Sequence, residues 1–429
     1  MQDTAEVKAQ ESPQINPVPS KNGKPVLIEP DLDFIQLLSK SGGDLFKKCM
    51  QCGTCSATCA ISPDSNPFPR KEMAWAAWGM KDRLLSDPDV WLCYQCNDCS
   101  TRCPRGAKPG DLLAAVRQES VIHYAFPRFL GRWVSQPQSL LLLLGIPMAL
   151  LALALYLKDP IENALGLSRP MGDGIIYSYT SMYPHWLLNS FFMIICFLAL
   201  IIVIVGVGRF WQGLKKADIQ NGIGSPSNGL FSSIWVTLKD VITHKNFTEC
   251  TKTRSRYLTH MCVFFGFIAL AVVSFWTVTA RITPIIQSDF IYPFSFWSPW
   301  KLLANAGGLA LIVGLMWMIW ERVKEQDDAP VSSYFDWTLI GTLLLVTLTG
   351  FITELLHYIR LEPHRHLAYF AHLVFACSLL MYLPYSKFAH LVYRTTAMVY
   401  SEYTGRNGNK PNKPGITEDN HEEAKDNAE

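Results

Sequence analysis

Residues 93–104 read CYQCNDCSTRCP, with four cysteines in eleven positions. How those thiols are spaced decides the fold of the first part of the chain. The pattern is Cys93-x2-Cys96-x2-Cys99-x3-Cys103, followed by Pro104, and it has an earlier counterpart in Cys49-x2-Cys52-x2-Cys55-x3-Cys59. Three close cysteines wrap one face of an iron–sulfur cubane, and a fourth, after a wider gap, reaches the other cluster. The expected ligand sets are therefore Cys49, Cys52 and Cys55 with Cys103, and Cys93, Cys96 and Cys99 with Cys59. Paired CxxC units also make zinc sites. A zinc site needs one set of four thiolates, so two interleaved sets favour two [4Fe–4S] clusters. Ala60 rather than proline follows Cys59, so the turn there is expected to differ from its counterpart.

The rest of the chain is of another character. It has 429 residues, of which 49% are hydrophobic, and a mean hydropathy of +0.13. That is too apolar for an ordinary soluble enzyme and implies a membrane protein with a soluble part. A net charge of +2 makes no case for nucleic acid. Of the other cysteines, Cys196, Cys262 and Cys377 lie in apolar runs and Cys250 in a loop. No secretory signal opens the chain and the first 130 residues are polar. The cysteine domain is therefore expected in the cytoplasm, where thiols stay reduced and bind metal.

The expected organisation is all-α. Residues 1–30 read as a disordered tail and 31–130 as a helical two-cluster ferredoxin domain. Residues 131–400 read as a six-helix transmembrane heme b bundle and 401–429 as a second disordered tail. LDFIQLLSK, KEMAWAAWGMKDRLL and GDLLAAVRQESVI carry apolar residues at helical spacing around the cysteines. Six runs, at 139–157, 186–208, 258–280, 301–320, 335–357 and 367–388, are apolar enough to span a bilayer, which takes roughly 20 residues. The loop 209–257 holds eight Lys and Arg, whereas 158–185 holds Lys158 and Arg169 and 281–300 holds Arg281. By the positive-inside rule the cluster domain and both termini lie on the cytoplasmic side of the inner membrane.

A cluster domain beside a membrane bundle calls for a carrier within the membrane. The last run carries His372 and His390, 18 residues apart. On one continuous helix both rings would leave the same face, roughly 27 Å apart at about 1.5 Å per residue. That separation suits one axial ligand for each of two stacked hemes. No CxxC is followed by His, so the hemes would be of b type, held by histidines alone. His260 is the expected inner partner of His390. For His372 the candidates are His185 and His357, with His185 slightly ahead. Glu354, His357, His364 and His366 gather near the outer side as candidates for proton exchange with a quinone, and Glu321 is a weaker inner one.

Helical spacing between the clusters, together with CPRGAKPGDLLAAVR after the last cysteine, resembles the α-helical ferredoxins. These occur in the C subunits of heterodisulfide reductases and in the iron–sulfur subunits of succinate dehydrogenases. The last membrane run, with PYSKFAH before its second histidine, resembles the gamma subunit of respiratory nitrate reductases. In that family the helix matching the third run carries two histidines ten residues apart; here His260 is followed at that distance by Leu270, which puts the outer heme's second ligand in doubt. The fusion of a C-like and an E-like part resembles the C subunits of the quinone-interacting membrane-bound oxidoreductase (Qmo) complexes of sulfate-reducing microbes. That resemblance implies electron exchange between menaquinone and the soluble flavin/iron–sulfur A and B subunits, with adenylylsulfate reductase as a further partner. Neither the paired CCG cysteine motifs of a disulfide-cleaving subunit nor a Gly-rich dinucleotide fingerprint occurs. The alternatives are a fused C/E subunit of a membrane heterodisulfide or sulfite-reduction complex, a heme-free ferredoxin on a membrane anchor, and a redox sensor.

Overall fold

The computed structural model describes residues 29–63, 66–166, 179–221, 227–244, 254–282, 295–324 and 332–406. Of the expected tails 1–30 and 401–429, residues 1–28 and 407–429 lie outside them, as do Cys250 and much of the inter-span loops; residues 401–403, expected as tail, are the end of a helix that runs His390–Tyr403. Among the described residues the secondary structure is helical throughout. The cysteine domain contains α1 (Leu32–Leu38), α2 (Thr54–Ala57), α3 (Arg70–Ala77), α4 (Lys81–Leu85), α5 (Asp89–Leu92), α6 (Asp98–Thr101), α7 (Pro109–Tyr124) and α8 (Arg128–Val134). Next come α9 (Leu140–Leu165), α10 (His185–Asn221), α11 (Leu230–Thr243), α12 (Arg254–Ile282), α13 (Pro299–Lys324), α14 (Tyr334–Ile359), α15 (His364–Tyr382) and α16 (His390–Tyr403).

Helix α7 is the spine of the cysteine domain. Pro109 starts it, where a missing N–H costs nothing. Its faces touch α1 and α3–α6, and Leu112, Leu113 and Val116 pack with Phe34, Leu84 and Trp91 in one fully buried core. The run KEMAWAAWGMKDRLL is two helices rather than one. Gly79, at φ +65°, breaks it and brings the chain against Asp31, where an added Cβ would lie 2.9 Å from the Asp31 nitrogen.

Six helices, α9, α10 and α12–α15, are long and apolar enough to cross a membrane. They sit close to the expected runs, though α10 continues to Asn221, well past residue 208. The tightest pairing is α12 with α13. A Cβ on Gly266 would lie 2.6 Å from the Gly307 carbonyl, and one on Gly314 would lie 2.9 Å from Cys262 Cβ. Helices in lipid gain little from hydrophobic burial, so small residues that let backbones approach supply the association.

The largest departure from the expected layout is in the last span. His372 and His390 are not on one helix: α15 ends at Tyr382, two 3₁₀ turns carry Leu383–Tyr385 and Lys387–Ala389, and α16 begins at His390. Pro384 has no N–H to continue the helix, and Ser386 adopts an extended conformation (ψ 175°). The shared-face argument from an 18-residue separation therefore does not hold. The break is a built corner. Tyr385 donates to the Phe126 carbonyl at 2.7 Å, Ser386 Oγ accepts from the Phe388 N–H at 3.2 Å, and Lys387 pairs with Asp336 at the start of α14.

Beyond that corner, α16 lies against the cysteine domain, with Tyr393 stacked on Trp91 at a 5.6 Å centroid distance and Phe210 edge-on to both. Just past its end, Arg406 reaches Asp218 of α10 (2.7 Å), Asp87 (3.6 Å) and Asp89 (3.7 Å), all nearly fully buried. Lys71 supplies the other cation to Asp87 and Asp89. Burial opposes the Lys71 charge, but Asp87 and Asp89 outweigh it and hold its pKa above the ordinary lysine value.

Gly266→Ala should lower the melting temperature of the detergent-solubilised protein through overpacking of about 1–3 kcal/mol. Gly145→Ala, where nothing lies within 4 Å, should leave it unchanged. Arg406→Ala leaves buried carboxylates short of a cation, at a cost of about 3–5 kcal/mol. Thermal bleaching of the visible iron–sulfur absorbance should come at a lower temperature, with Arg406→Lys intermediate.

Candidate cluster and histidine sites

The two cysteine loops are structural copies. In each, the residues flanking the second cysteine adopt left-handed backbone: Gln51 (φ 59°) and Gly53 (φ 84°) around Cys52, Gln95 (φ 56°) and Asn97 (φ 75°) around Cys96. Glycine and asparagine are the residue types that take this conformation at least cost. Successive peptides of this kind turn their N–H groups inward and form an anion-binding concavity. The Gln51 N–H lies 3.4 Å from Cys49 Sγ, the Gln95 N–H 3.3 Å from Cys93 Sγ and the Ala107 N–H 3.3 Å from Cys103 Sγ. Short helices α2 and α6 then carry Cys55 and Cys99 inward, and both side chains are buried.

The loops bring the eight thiols into two groups of four. Cys49, Cys52, Cys55 and Cys103 line one cavity, together with Arg70, Met73 and Arg105. Cys59 lies close enough to Cys93, Cys96 and Cys99 for their charges to act on one another. Burial, and then the neighbouring thiolates, pushes Cys55 up to about 11, Cys59 up to about 12 and Cys99 further still. Bare thiols of this kind stay protonated at neutral pH. Iron supplies the positive charge that ionises them. Two sets of four sulfur donors with inward N–H groups fit two cubanes.

Two of the candidate histidines, His372 within the last span and His390 just past it, are oriented by backbone carbonyls. His372 Nδ1 lies 3.1 Å from the Val346 carbonyl and 3.2 Å from Thr349 Oγ1, both on α14. Its ring fits against Gly350, where a Cβ would stand 3.2 Å from Cε1. His390 Nδ1 lies 2.6 Å from the Lys387 carbonyl. With Nδ1 engaged, Nε2 is the nitrogen left to face a metal. His260, on α12, is within electrostatic reach of His390. Its ring also meets that of His244, 5.1 Å away at the end of α11. His244 sits in a polar stretch of the sequence with no spacing to single it out.

In the expected outer grouping, His357 and His366 share Tyr179, and Glu354 has its own partners on another helix. Glu354 pairs with Lys301 at 2.8 Å and accepts from Asn305 at 3.3 Å. His357 packs its ring on Tyr179 at 5.4 Å and Tyr358 at 6.0 Å, and His366 meets Tyr179 and Glu362. His185 is the first residue of α10, and Glu321 lies at the other end of α13 from Lys301. The hydrogen bonds of His372 come from α14.

The junction between the halves is built from arginine. Arg394, one turn after His390, donates to the Cys93 carbonyl at 2.9 Å and the Leu92 carbonyl at 3.2 Å, and its guanidinium lies 4.1 Å from the Tyr94 ring centre. Arg117 of α7 donates to the carbonyls of Val90 and Cys93 and to the Gln95 side chain. Arg256 of α12 donates to the Gln95 carbonyl at 3.4 Å. A cavity beside them is lined by Gln95, Arg117, Asp336, Lys387 and His390, so a residue between two cysteines and the histidine that follows the last span share one space. The position of Arg394 four residues after His390 is the one sequence signal for this contact.

Comparison with known proteins divides the chain at the same place. Residues 46–107 match a 4Fe-4S dicluster domain, and residues 133–411 match the family described as Citrate utilization protein B. The C subunit of an H2:CoB-CoM heterodisulfide,ferredoxin reductase from Methanothermobacter marburgensis is 36% identical over 90 residues, 21% of this chain and 49% of that protein. A protein from Archaeoglobus profundus described as like the C subunit of heterodisulfide reductase is 32% identical over 91 residues, 21% of this chain and 48% of that protein. The iron–sulfur C subunit of a CoB--CoM heterodisulfide reductase from Methanopyrus kandleri is 32% identical over 102 residues, 21% and 53% respectively. The chain thus spans about half the length of these curated relatives, and no solved structure matches it. The eight cysteines belong to a domain that carries two [4Fe–4S] clusters, related to the C subunits of heterodisulfide reductases and joined to a multi-pass membrane region, and the chain belongs to the Citrate utilization protein B family.

Proposed function

We propose that this membrane-bound iron–sulfur electron-transfer protein exchanges electrons between menaquinone and soluble flavin/iron–sulfur partner subunits, in the manner of the C subunits of Qmo complexes. The observation that carries this reading is the shared cavity of Gln95 and His390, with Arg394 binding the Cys93 carbonyl one turn further on. His390, just past the last span, and a cysteine loop that meet so closely suit one continuous electron path. Cys49, Cys52, Cys55 and Cys103 would hold the cluster farther from the membrane, and Cys93, Cys96, Cys99 and Cys59 the nearer one. His260 and His390 would hold a heme b at the inner edge, and His372 a second, with His185 or His357 as its other ligand. Bound there, hemes and clusters supply one-electron carriers between the membrane and the aqueous partner.

The chain's own residues do the rest. The Val346 and Lys387 carbonyls fix the ring orientation of His372 and His390. Glu354, held by Lys301 and Asn305 near the end of its span, is the candidate group for proton exchange with a quinone. The Lys and Arg of 209–257 favour the cytoplasmic side for the cluster domain. The domains divide near residue 130, and the sulfate-reduction partners, adenylylsulfate reductase among them, come with the Qmo resemblance. The heterodisulfide reductase relatives favour a second reading, a fused C/E subunit of a heterodisulfide reductase; co-purifying proteins separate the two.

Pyridine hemochrome and total iron on the purified chain give the first test. The reading expects two hemes b and eight non-heme irons, and one heme would restrict it to the His260–His390 pair. No heme with the iron intact would overturn the membrane path and leave a ferredoxin on an anchor. His390→Ala and His260→Ala should each remove the same heme, with the iron unchanged.

A further inference from the structure

The two cysteine loops, alike in backbone, differ in the charge around them. Three guanidinium groups converge on Val90–Gln95 through bonds to the carbonyls of Val90, Leu92, Cys93 and Gln95. Arg117, Arg256 and Arg394 are all partly withdrawn from water. Around Cys49–Cys55 the arginines lining the cavity are Arg70 and Arg105, and both are exposed. Met50 and Cys52 of that loop also face solvent.

One-electron reduction of a cubane on four thiolates adds one negative charge, so nearby cations favour the reduced form. Cluster potentials follow net charge, hydrogen bonding and solvent exposure. At the same distance, a charge in a medium of effective dielectric about 20 acts roughly four times as strongly as in water at about 80. The withdrawn arginines are therefore screened less by water than the exposed pair. The bond from Arg394 to the Cys93 carbonyl also aligns that peptide toward a cation and ties the loop to the helix that begins at His390.

We propose that Arg394 is a positioning residue that pins the second cysteine loop to the helix that follows the last span and, with Arg117 and Arg256, makes the cluster on that loop the higher-potential member of the pair. The electron then rests beside the membrane, not on the water-facing loop, until a partner docks. The inference rests on the two-cluster reading above but not on heme.

The test is a dithionite titration of the purified full chain in detergent, followed by EPR, for the native protein and for Arg394→Gln, Arg394→Lys and Cys52→Ser. Two cluster potentials are expected, with Cys52→Ser disturbing the lower one. Arg394→Gln should weaken reduction of the higher-potential cluster about tenfold, roughly 59 mV for one electron, and leave the other in place. Arg394→Lys, which keeps the charge but loses the two-carbonyl fork, should shift it less. Should Arg394→Gln fail to fold, Arg256→Gln must shift the same cluster in the same direction by less. The proposal is overturned if Arg394→Gln moves neither potential or both equally, or if Cys52→Ser disturbs the higher one. Loss of heme with both clusters intact would sink the membrane path alone, whereas fewer than eight irons would sink both.

Discussion

The fold turns on the corner at Leu383–Ala389. A helix continuing through Pro384 would carry His390 away along the axis of α15. Because proline removes a backbone donor and Ser386 turns extended, the chain leaves the span and restarts at His390. Helix α16 is thereby free to lie on the cysteine domain, and its Tyr393, Arg394 and, just beyond it, Arg406 make the contacts that join the halves. The PYSKFAH run supplies in turn a break, a tether to Phe126, a cap, an ion pair and an oriented imidazole.

Much of this is legible in the residues alone, for identifiable reasons. Cysteine spacing is dictated by the size of the object the thiols surround, so two groups of four can be read from it. Membrane runs are dictated by bilayer thickness, so all six stand out. What escapes the sequence depends on tertiary context. The proline in the last run reads as part of a motif and not as an interruption, and the geometric argument for His372 and His390 requires a continuous helix that does not exist. His244, Arg117 and Arg256 carry no spacing that singles them out, and Arg394 has only its place four residues after His390. They matter because separate elements bring them to one place.

The outer half of the bundle is the least legible region. Glu354 and His357 are close in sequence to His366, but what joins the two histidines is Tyr179, a residue far away in the chain, while Glu354 is held by Lys301 of another helix. His372 is well oriented, by Val346 and Thr349, but that orientation says only which nitrogen is available.

The interleaving of the two cysteine loops carries a consequence for how such a domain could arise. Cys103 sits with the first loop's three thiols and Cys59 with the second's. A single copy of the repeat therefore presents three thiols to one place and sends its fourth elsewhere. Such a unit would be closed only by another copy of itself. An ancestral half-domain of this geometry would have worked as a symmetric pair, and tandem duplication would have turned an encounter between two chains into a fold within one.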